Sequence, residues 1–214
     1  MTVRMRQLPF RAINALPFLP SQRRYNLTIS SERKFIWFRV AKVGTRTILH
    51  ALKNANAPLD AREESHLYLF PNLQRDYFKF AFVRNPWDRL VSCWMNKVVE
   101  GNFFNFDEAD LQRMREFGNF VDYVAGLNII RCDRHLALQS SLIDLNNVDF
   151  VGRMERFDDD LSVVFQKVGL ELSAIDRKNV SAARTSYRDY YDARTVEKAR
   201  EIYRKDISLF GYEF

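Results

Sequence analysis

A lysine, a glycine and two threonines follow a short apolar run near the start of the chain, and together they could bind a phosphate group. The run Phe35–Val40 is typical of a buried strand, and the pattern that begins at Thr45 predicts a helix. A loop between a strand and a helix binds anions because glycine lets peptide N–H groups approach the ligand and because the helix start is partly positive. Lys42 adds a full charge. The loop is not a Walker loop, because Lys42 precedes Gly44 and no Gly-Lys-Ser/Thr sequence closes it.

A second group of polar residues follows a second apolar run, Lys79–Val83. Arg84 lies at the end of this predicted strand, Pro86 forces a turn, and Ser92 follows on the second turn of the next helix. A guanidinium at a strand end and a hydroxyl on a helix can hold one phosphate from two sides, since arginine offers two parallel donors. Structural alternatives exist for both groups. In these alternatives neither group binds phosphate: the first loop is only a tight turn, Arg84 forms an ion pair with Asp88, and Ser92 faces solvent.

Strands and helices alternate along the chain, and this order must position the two polar groups. A third strand is predicted at Asp149–Gly152. Helices are predicted at Thr45–Asn56, Trp87–Lys97, Asp107–Phe117, Phe120–Leu127, Asp158–Val168 and Ala193–Lys205. Such alternation predicts an α/β fold with a central, mostly parallel sheet flanked by helices, and ligands bind at the carboxyl ends of the strands in such sheets.

The charge is concentrated at the start of the chain. Residues 1–34 hold seven basic residues and one acidic residue, which accounts for the whole net charge of +6. We therefore predict a basic N-terminal arm over 1–34 and a single, nearly neutral domain over 35–214. A neutral body excludes a surface that coats nucleic acid. The arm is either a solubilising extension or a contact for an anionic acceptor or a membrane surface.

The cysteine pattern and the apolar runs restrict the compartment. Cys93 and Cys132 lack metal-ligand spacing, and no His/Cys/Asp cluster has it either, so we predict no metal. The chain shows no apolar run of about 18 residues and no signal-peptide pattern. These features predict a soluble protein in a reducing, cytoplasmic compartment.

Two motifs resemble the cofactor-binding motifs of the sulfotransferases. FRVAKVGTRTI is followed about forty residues later by FAFVRNPWDRLVS, as in the carbohydrate sulfotransferases of the chondroitin, HNK-1 and uronyl 2-O types. The likeness continues through DRHLALQ, DFVGRMERFDDDL and the C-terminal stretch from Asn179 to Phe214, in the family's order. It covers about 35–214 and implies the P-loop-like sulfotransferase fold.

The resemblance implies an enzyme whose donor is 3′-phosphoadenosine 5′-phosphosulfate (PAPS), with 3′-phosphoadenosine 5′-phosphate (PAP) as product. The residues that match the 5′-phosphosulfate loop are Lys42, Val43, Gly44, Thr45, Arg46 and Thr47. Arg84 and Ser92 match the 3′-phosphate motif. Arg184 and Tyr187 fall in a loop that approaches the donor in the family, so Arg184 would assist the 3′-phosphate and Tyr187 would lie near the adenine. The alternative for these two is a surface arginine and a packing tyrosine.

Sulfuryl transfer to an alcohol needs a cation beside the departing oxygen and a base for the hydroxyl proton. Lys42 is the predicted cation. His66 is the predicted base, because its spacing before Arg84 resembles that of the catalytic histidine in the uronyl 2-O branch. Glu64, with its neighbour Glu63, is the substitute base. His135 resembles the histidine of a family segment and either orients the acceptor or is structural.

The acceptor implied by the resemblance is a hydroxyl of a carbohydrate or glycolipid. The aromatic residues between Gly101 and Leu127 either stack on sugar faces or pack in the core. The family's animal members carry a membrane anchor and longer lumenal domains; this chain shows neither, which favours a cytoplasmic bacterial enzyme. Two other functions stay open: a magnesium-dependent small-molecule kinase, and a module that binds the nucleotide without transferring its sulfuryl group.

Overall fold

The computed structural model describes residues 24–68, 74–172 and 186–214. The chain falls into two compact units. The first unit is formed by Met1–Val40, Gly44–Val83 and Leu142–Lys178, and the second by Ala41–Val43, Arg84–Ser141 and Asn179–Phe214, in both cases within the described ranges.

A five-stranded sheet forms the centre of the first unit. Its strands are β1 (Arg24–Ser30), β2 (Phe35–Phe38), β3 (Ala61–Tyr68), β4 (Phe78–Val83) and β5 (Phe150–Arg153), in the order β3-β1-β2-β4-β5. Strands β2, β4 and β5 are parallel, and β1 runs antiparallel to both β2 and β3. The predicted α/β fold with a mostly parallel sheet is confirmed.

Aromatic side chains on neighbouring strands hold the parallel part of the sheet together. Trp37 lies parallel to Phe80 with ring centroids 6.0 Å apart, and Phe82 meets Phe80 edge-on at 6.3 Å. Gly152 pairs with Phe82 across β4 and β5, and a Cβ atom at this glycine would lie 2.6 Å from the Phe82 ring. The bulky β4 therefore requires a glycine at this position of β5.

Two helices of the first unit follow strands of the sheet. Helix α1 (Thr45–Asn54) comes after β2 and buries Ile48, Leu49 and Leu52. Helix α5 (Phe157–Lys167) comes after β5, and its first turn carries three aspartates, as the positive end of a helix favours. The buried Asp160 carboxylate accepts a 2.6 Å hydrogen bond from the Arg153 peptide at the end of β5.

Helices dominate the second unit. They are α2 (Pro86–Trp94), a π-helical turn (Met95–Val99), α3 (Glu108–Met114), α4 (Phe117–Ala125), α6 (Ala193–Ile202) and α7 (Arg204–Phe210). The polar groups of buried aromatic side chains form hydrogen bonds to backbone carbonyls in this unit. The Trp87 indole donates to the Val196 carbonyl, and the Tyr203 hydroxyl donates to the Leu136 carbonyl at 3.0 Å. The unit thus combines apolar packing with satisfied polar groups.

The sequence patterns missed strands β1 and β3. Strand β1 lies inside the stretch 1–34, which we predicted as a basic arm; residues 1–23 of that stretch are outside the described residues. Thr28 and Ser30 of β1 are buried, and their hydroxyls donate to the carbonyls of Arg62 and Pro58. The period-two pattern typical of a strand was nevertheless present, because Tyr25, Leu27 and Ile29 alternate with polar residues. The interpretation of this stretch as a basic arm overlooked it.

Two predicted helices have different ends from those expected. The helix predicted to run to Lys97 changes to a π turn after Trp94, and the helix predicted to run to Lys205 stops at Ile202 before α7 begins. Across the described ranges, no helix is both long and apolar enough to cross a lipid bilayer.

Candidate active site

Arg84 directly follows strand β4 and begins the polar cluster of the second unit. Asn85 caps helix α2 by accepting a 3.0 Å hydrogen bond from the Trp87 peptide, and Pro86 occupies the first helical turn. The Arg84 guanidinium donates to both carboxylate oxygens of Asp88, at 2.7 and 2.6 Å. The structural alternative for Arg84, an ion pair with Asp88, is therefore present, and its Nη1 also donates to the Lys42 carbonyl at 3.3 Å.

Gln139 fixes the backbone of Arg84. Its side-chain oxygen accepts from the Arg84 peptide N–H at 3.0 Å, and its amide nitrogen donates to the Arg84 carbonyl at 2.9 Å. The Asp206 carboxylate, which is fully buried, accepts from the Gln139 and Ser140 peptides at 2.6 and 3.0 Å. This clamp fixes the backbone of Arg84, and Asp88 holds the guanidinium.

Lys42 lies next to Arg84 in the same unit. Its φ angle is 70°, in the left-handed region that side chains other than glycine rarely occupy, so the backbone is strained at this position. The Lys42 ammonium donates to Asn96 Oδ1 at 3.2 Å. The pKa of Lys42 is lowered to about 8, chiefly by burial; Cys93 opposes this change, and the positive charge of Arg84 contributes to it.

One face of the α2 helix and the π turn carries the partners of both cations. Asp88, Ser92 and Asn96 follow one another at intervals of four residues, which places them along one side of the helix. Asp88 holds Arg84, Asn96 holds Lys42, and the buried Ser92 comes between them. The second unit therefore brings together three of the predicted donor-binding residues.

Arg89 ties the loop residue Ala41 to another part of the same unit. Its guanidinium is almost completely buried and donates to the carbonyls of Ala41, Ala137 and Arg134 at 3.0, 2.9 and 2.8 Å. Sequence reasoning did not identify this residue or Gln139. Arg89 could have been recognised as a buried structural residue, because it is a charged residue beside the apolar Leu90 and Val91. No comparable pattern in the sequence indicates the role of Gln139.

The start of helix α1, which belongs to the first unit, holds the other predicted loop residues. Gly44 occupies the N-cap with φ 75°, and the first turn contains no acidic residue. The Thr45 hydroxyl donates to the Val40 carbonyl at 3.1 Å, Arg46 is exposed, and Thr47 is half-buried. A helix start without a carboxylate keeps its first peptide N–H groups suited to an anion.

Replacing Gly44 by alanine should destabilise the protein by about 1–3 kcal/mol, because the substitution adds both backbone strain and a clash. The new Cβ would lie 2.9 Å from Phe157 Cε2 and 3.1 Å from Met154 Sδ. Thermal unfolding should show a lower Tm by about 2–4 °C for each kcal/mol. Gly101→Ala is the control, since open space surrounds that position. Equal Tm values for the two variants would contradict this account of the loop.

His66 and Glu64 lie in strand β3 at one edge of the sheet. The register pairs Tyr25 with Leu67 on one side and Leu27 with Phe38 on the other, so the His66 backbone lies level with the carboxyl end of β2. Two strand spacings, about 10 Å, separate β3 from β2. The role of His66 as the base stays a prediction.

The two residues predicted from the late part of the chain have different outcomes. Arg184 lies outside the described residues. Tyr187 is half-buried in the second unit, where its hydroxyl accepts a 3.4 Å hydrogen bond from Asn85 and its ring meets Phe214 edge-on at 5.8 Å. Tyr187 is thus a packing residue, and its contact with adenine stays a prediction.

His135 forms a pair with Asp133 in the second unit. Its Nδ1 lies 2.6 Å from Asp133 Oδ1, and the Phe103 ring meets the imidazole edge-on at 4.9 Å. Burial lowers the pKa of His135 and so favours the neutral imidazole, although Asp133 opposes the change. The Lys97 ammonium lies 3.9 Å from the centre of the Phe103 ring.

The aromatic residues between 101 and 127 divide between the core and the surface. Phe117 and Phe120 are buried, whereas Phe103 is 45% exposed. Phe104 and Phe106 are half-buried and pack against each other and against Tyr123, with centroid distances of 5.1 to 6.5 Å. Core packing is therefore found for the buried residues, and stacking of the exposed ring on a sugar stays a prediction.

Comparisons with known proteins identify the family of this chain. The sequence profile of the sulfotransferase family matches residues 25–213. Carbohydrate sulfotransferase 14 of Danio rerio is 24% identical over 247 residues, covering 97% of this chain and 67% of the relative. No solved structure gives a match. The profile covers the sheet, the loop of Lys42 and the whole Arg84 cluster, and so the chain belongs to the sulfotransferase family and is a PAPS-dependent sulfotransferase.

Proposed function

We propose that the protein transfers a sulfuryl group from PAPS to a hydroxyl of a carbohydrate or glycolipid. The observation that supports the proposal is the contact between Lys42 and Arg84 within one unit, where the guanidinium donates to the lysine carbonyl. A donor with phosphate groups on both sides of its ribose needs two separate cations, and this pair supplies them.

The two cations have different roles in this proposal. Arg84 retains N–H groups beyond those used by Asp88, because a guanidinium has five donors, and these bind the 3′-phosphate together with the Ser92 hydroxyl. Lys42 places its ammonium beside the oxygen that joins phosphorus to sulfur. The proposal also assigns residues 43–47 to the binding of the 5′-phosphosulfate.

Sulfuryl transfer exchanges one bond at sulfur for another. The acceptor hydroxyl oxygen forms a bond to sulfur, the bond from sulfur to the bridging phosphate oxygen breaks, and the hydroxyl proton passes to a base. Lys42 lowers the barrier because negative charge develops on the departing oxygen, which leaves as part of PAP. No metal is needed for these steps.

The saccharide part of the proposal is supported by one relative and one surface feature. The relative from Danio rerio is a carbohydrate sulfotransferase by name. On this chain, Phe103 presents an exposed ring in the same unit as Lys42 and Arg84, beside the His135–Asp133 pair. Exposed aromatic rings offer apolar faces to sugars, and His135 would orient the acceptor hydroxyl.

Calorimetry with PAP and ATP tests the proposed donor. PAP should bind more tightly than ATP, and binding should not depend on magnesium. Radiolabelled donor with a panel of saccharides and glycolipids then tests transfer. Preference for ATP with magnesium would replace the proposal by a kinase function, and tight PAP binding without transfer to any acceptor would indicate a binding module.

Replacing His66 by alanine should lower turnover by 10² or more while the affinity for PAP stays near that of the wild type. The reason is that a positioned base contributes about 10²–10⁴-fold to such reactions, whereas it makes no contact with the donor phosphates. Steady-state kinetics and PAP calorimetry measure the two quantities. His50→Ala is the control, since His50 belongs to helix α1, where its Nδ1 lies 3.4 Å from Asn54 Nδ2. Full activity of the His66 variant would leave His135 and Glu64 as the remaining candidates.

A further inference from the structure

The π turn at Met95–Val99 sits where the helix reaches Lys42. The Glu100 peptide donates to the Met95 carbonyl five positions earlier, at 2.9 Å. A π turn has poorer geometry than an α-helix and occurs mostly in single turns, often at functional sites. Its wider turn redirects the side chains of Asn96 and Lys97 relative to a continued α-helix. The π turn therefore contains Asn96, the residue that accepts a hydrogen bond from Lys42.

Asn96 contacts two charged groups of opposite sign. Its side-chain oxygen accepts from the Lys42 ammonium at 3.2 Å, and its amide nitrogen donates to Glu100 Oε2 at 3.0 Å. An ammonium only donates and an ionised carboxylate only accepts, so a single orientation of the amide satisfies both. Glu100 thus fixes which atom of Asn96 faces the lysine.

The two cations of the cluster are held by partners of different charge. Arg84 is neutralised by the Asp88 carboxylate, whereas Lys42 is held by a neutral amide. A neutral acceptor leaves the positive charge of the ammonium uncompensated and available to an anion, and a single neutral hydrogen bond is easily exchanged. The charged and titratable groups around Lys42 are Arg84, Lys97, Glu100 and Cys93.

We propose that Asn96 is a positioning residue for sulfuryl transfer, which holds the Lys42 ammonium where the donor's bridging oxygen arrives and does so without neutralising it. This inference rests on the proposed function. It also gives the π turn a role, since the turn aims the amide at Lys42 while Glu100 fixes the orientation of that amide.

Direct titration of Lys42 tests the inference without any activity. NMR of lysines labelled at Cε follows the titration of Lys42 in the whole protein, without donor or acceptor. Asn96→Asp should raise its midpoint by at least one pH unit, because the amide becomes a carboxylate. Asn96→Leu should lower the midpoint, and Glu100→Gln should change it little, since glutamine still offers an acceptor to Asn96. Asn119→Ala, at a half-buried side chain that donates to the Arg113 carbonyl, is the control.

Kinetics with PAPS provide the second measurement. Asn96→Asp should lower kcat about tenfold at pH 7 and move the alkaline limb of the pH profile upward, whereas Asn96→Leu should move it downward. An unchanged Lys42 midpoint in both folded variants, judged by circular dichroism, would overturn the inference. Shifted midpoints with normal kcat would overturn it as well. If the wild type transfers no sulfuryl group at all, the proposed function fails, and the titration still reports the Asn96–Lys42 contact separately.

Discussion

Replacement of Lys42 by methionine is expected to lower kcat by about 10²–10³-fold, the loss seen when one charge-stabilising donor is removed from an active site. Methionine keeps the length and apolar stem of lysine but removes the ammonium that would face the departing oxygen. Steady-state kinetics with PAPS and calorimetry with PAP separate the effect on the chemical step from the effect on binding.

Lys34→Met is the matched control for this variant. Lys34 forms an exposed pair with Asp76, so its loss should leave both measurements unchanged. A Lys42 variant with normal kcat would remove the lysine from the mechanism, even if it bound PAP more weakly.

The lowered pKa of Lys42 also predicts a pH dependence of donor binding. Burial brings the pKa of this lysine to about 8 in the free protein, and a bound anion favours the charged form and raises it again. The complex therefore holds one more proton than the free protein above pH 8. PAP affinity should be constant below about pH 7 and fall by up to about tenfold per pH unit above pH 8. In the Lys42→Arg variant the PAP affinity should not change with pH over this range, because a guanidinium stays protonated.

Replacement of Arg84 by alanine is expected to reduce PAP affinity by about 2–5 kcal/mol, as truncation of a buried, charge-paired group does. The loss should be specific for the 3′-phosphate, so the affinity for 5′-AMP, which lacks that group, should change little. The ratio of the two affinities, measured by calorimetry, is the decisive quantity. Arg113→Ala, at an exposed position, should leave the ratio as in the wild type.

The ion pair with Asp88 requires a second variant. Removing Arg84 alone leaves the Asp88 carboxylate without its partner, which can destabilise a protein by about 3–5 kcal/mol. In the double variant Arg84→Ala/Asp88→Ala no unpaired charge remains. If Arg84 is only structural, the double variant recovers the wild-type ratio of PAP to 5′-AMP affinity; if it binds the 3′-phosphate, the ratio stays low.

The sequence by itself determined the parallel half of the sheet and the two segments that we propose as anion-binding. Phe35–Phe38 is apolar throughout, and Phe78–Val83 is apolar except for Lys79, because both faces of a parallel strand are covered; local composition therefore reveals both strands. Lys42 and Arg84 were predicted because each directly follows such a strand, and parallel strands present their carboxyl ends at one edge of a sheet.

Only the tertiary structure decided which atoms hold these cations. The contacts of Arg89 and Gln139, and the contact of Asn96 with Lys42, join residues 45 to 67 positions apart in the chain, and local pattern carries no information about such distances. The π turn is a further example, because the residues Met95–Val99 also suit an ordinary helix. A buried polar group must find a partner wherever the fold provides one, and the sequence does not specify that partner until the chain has packed.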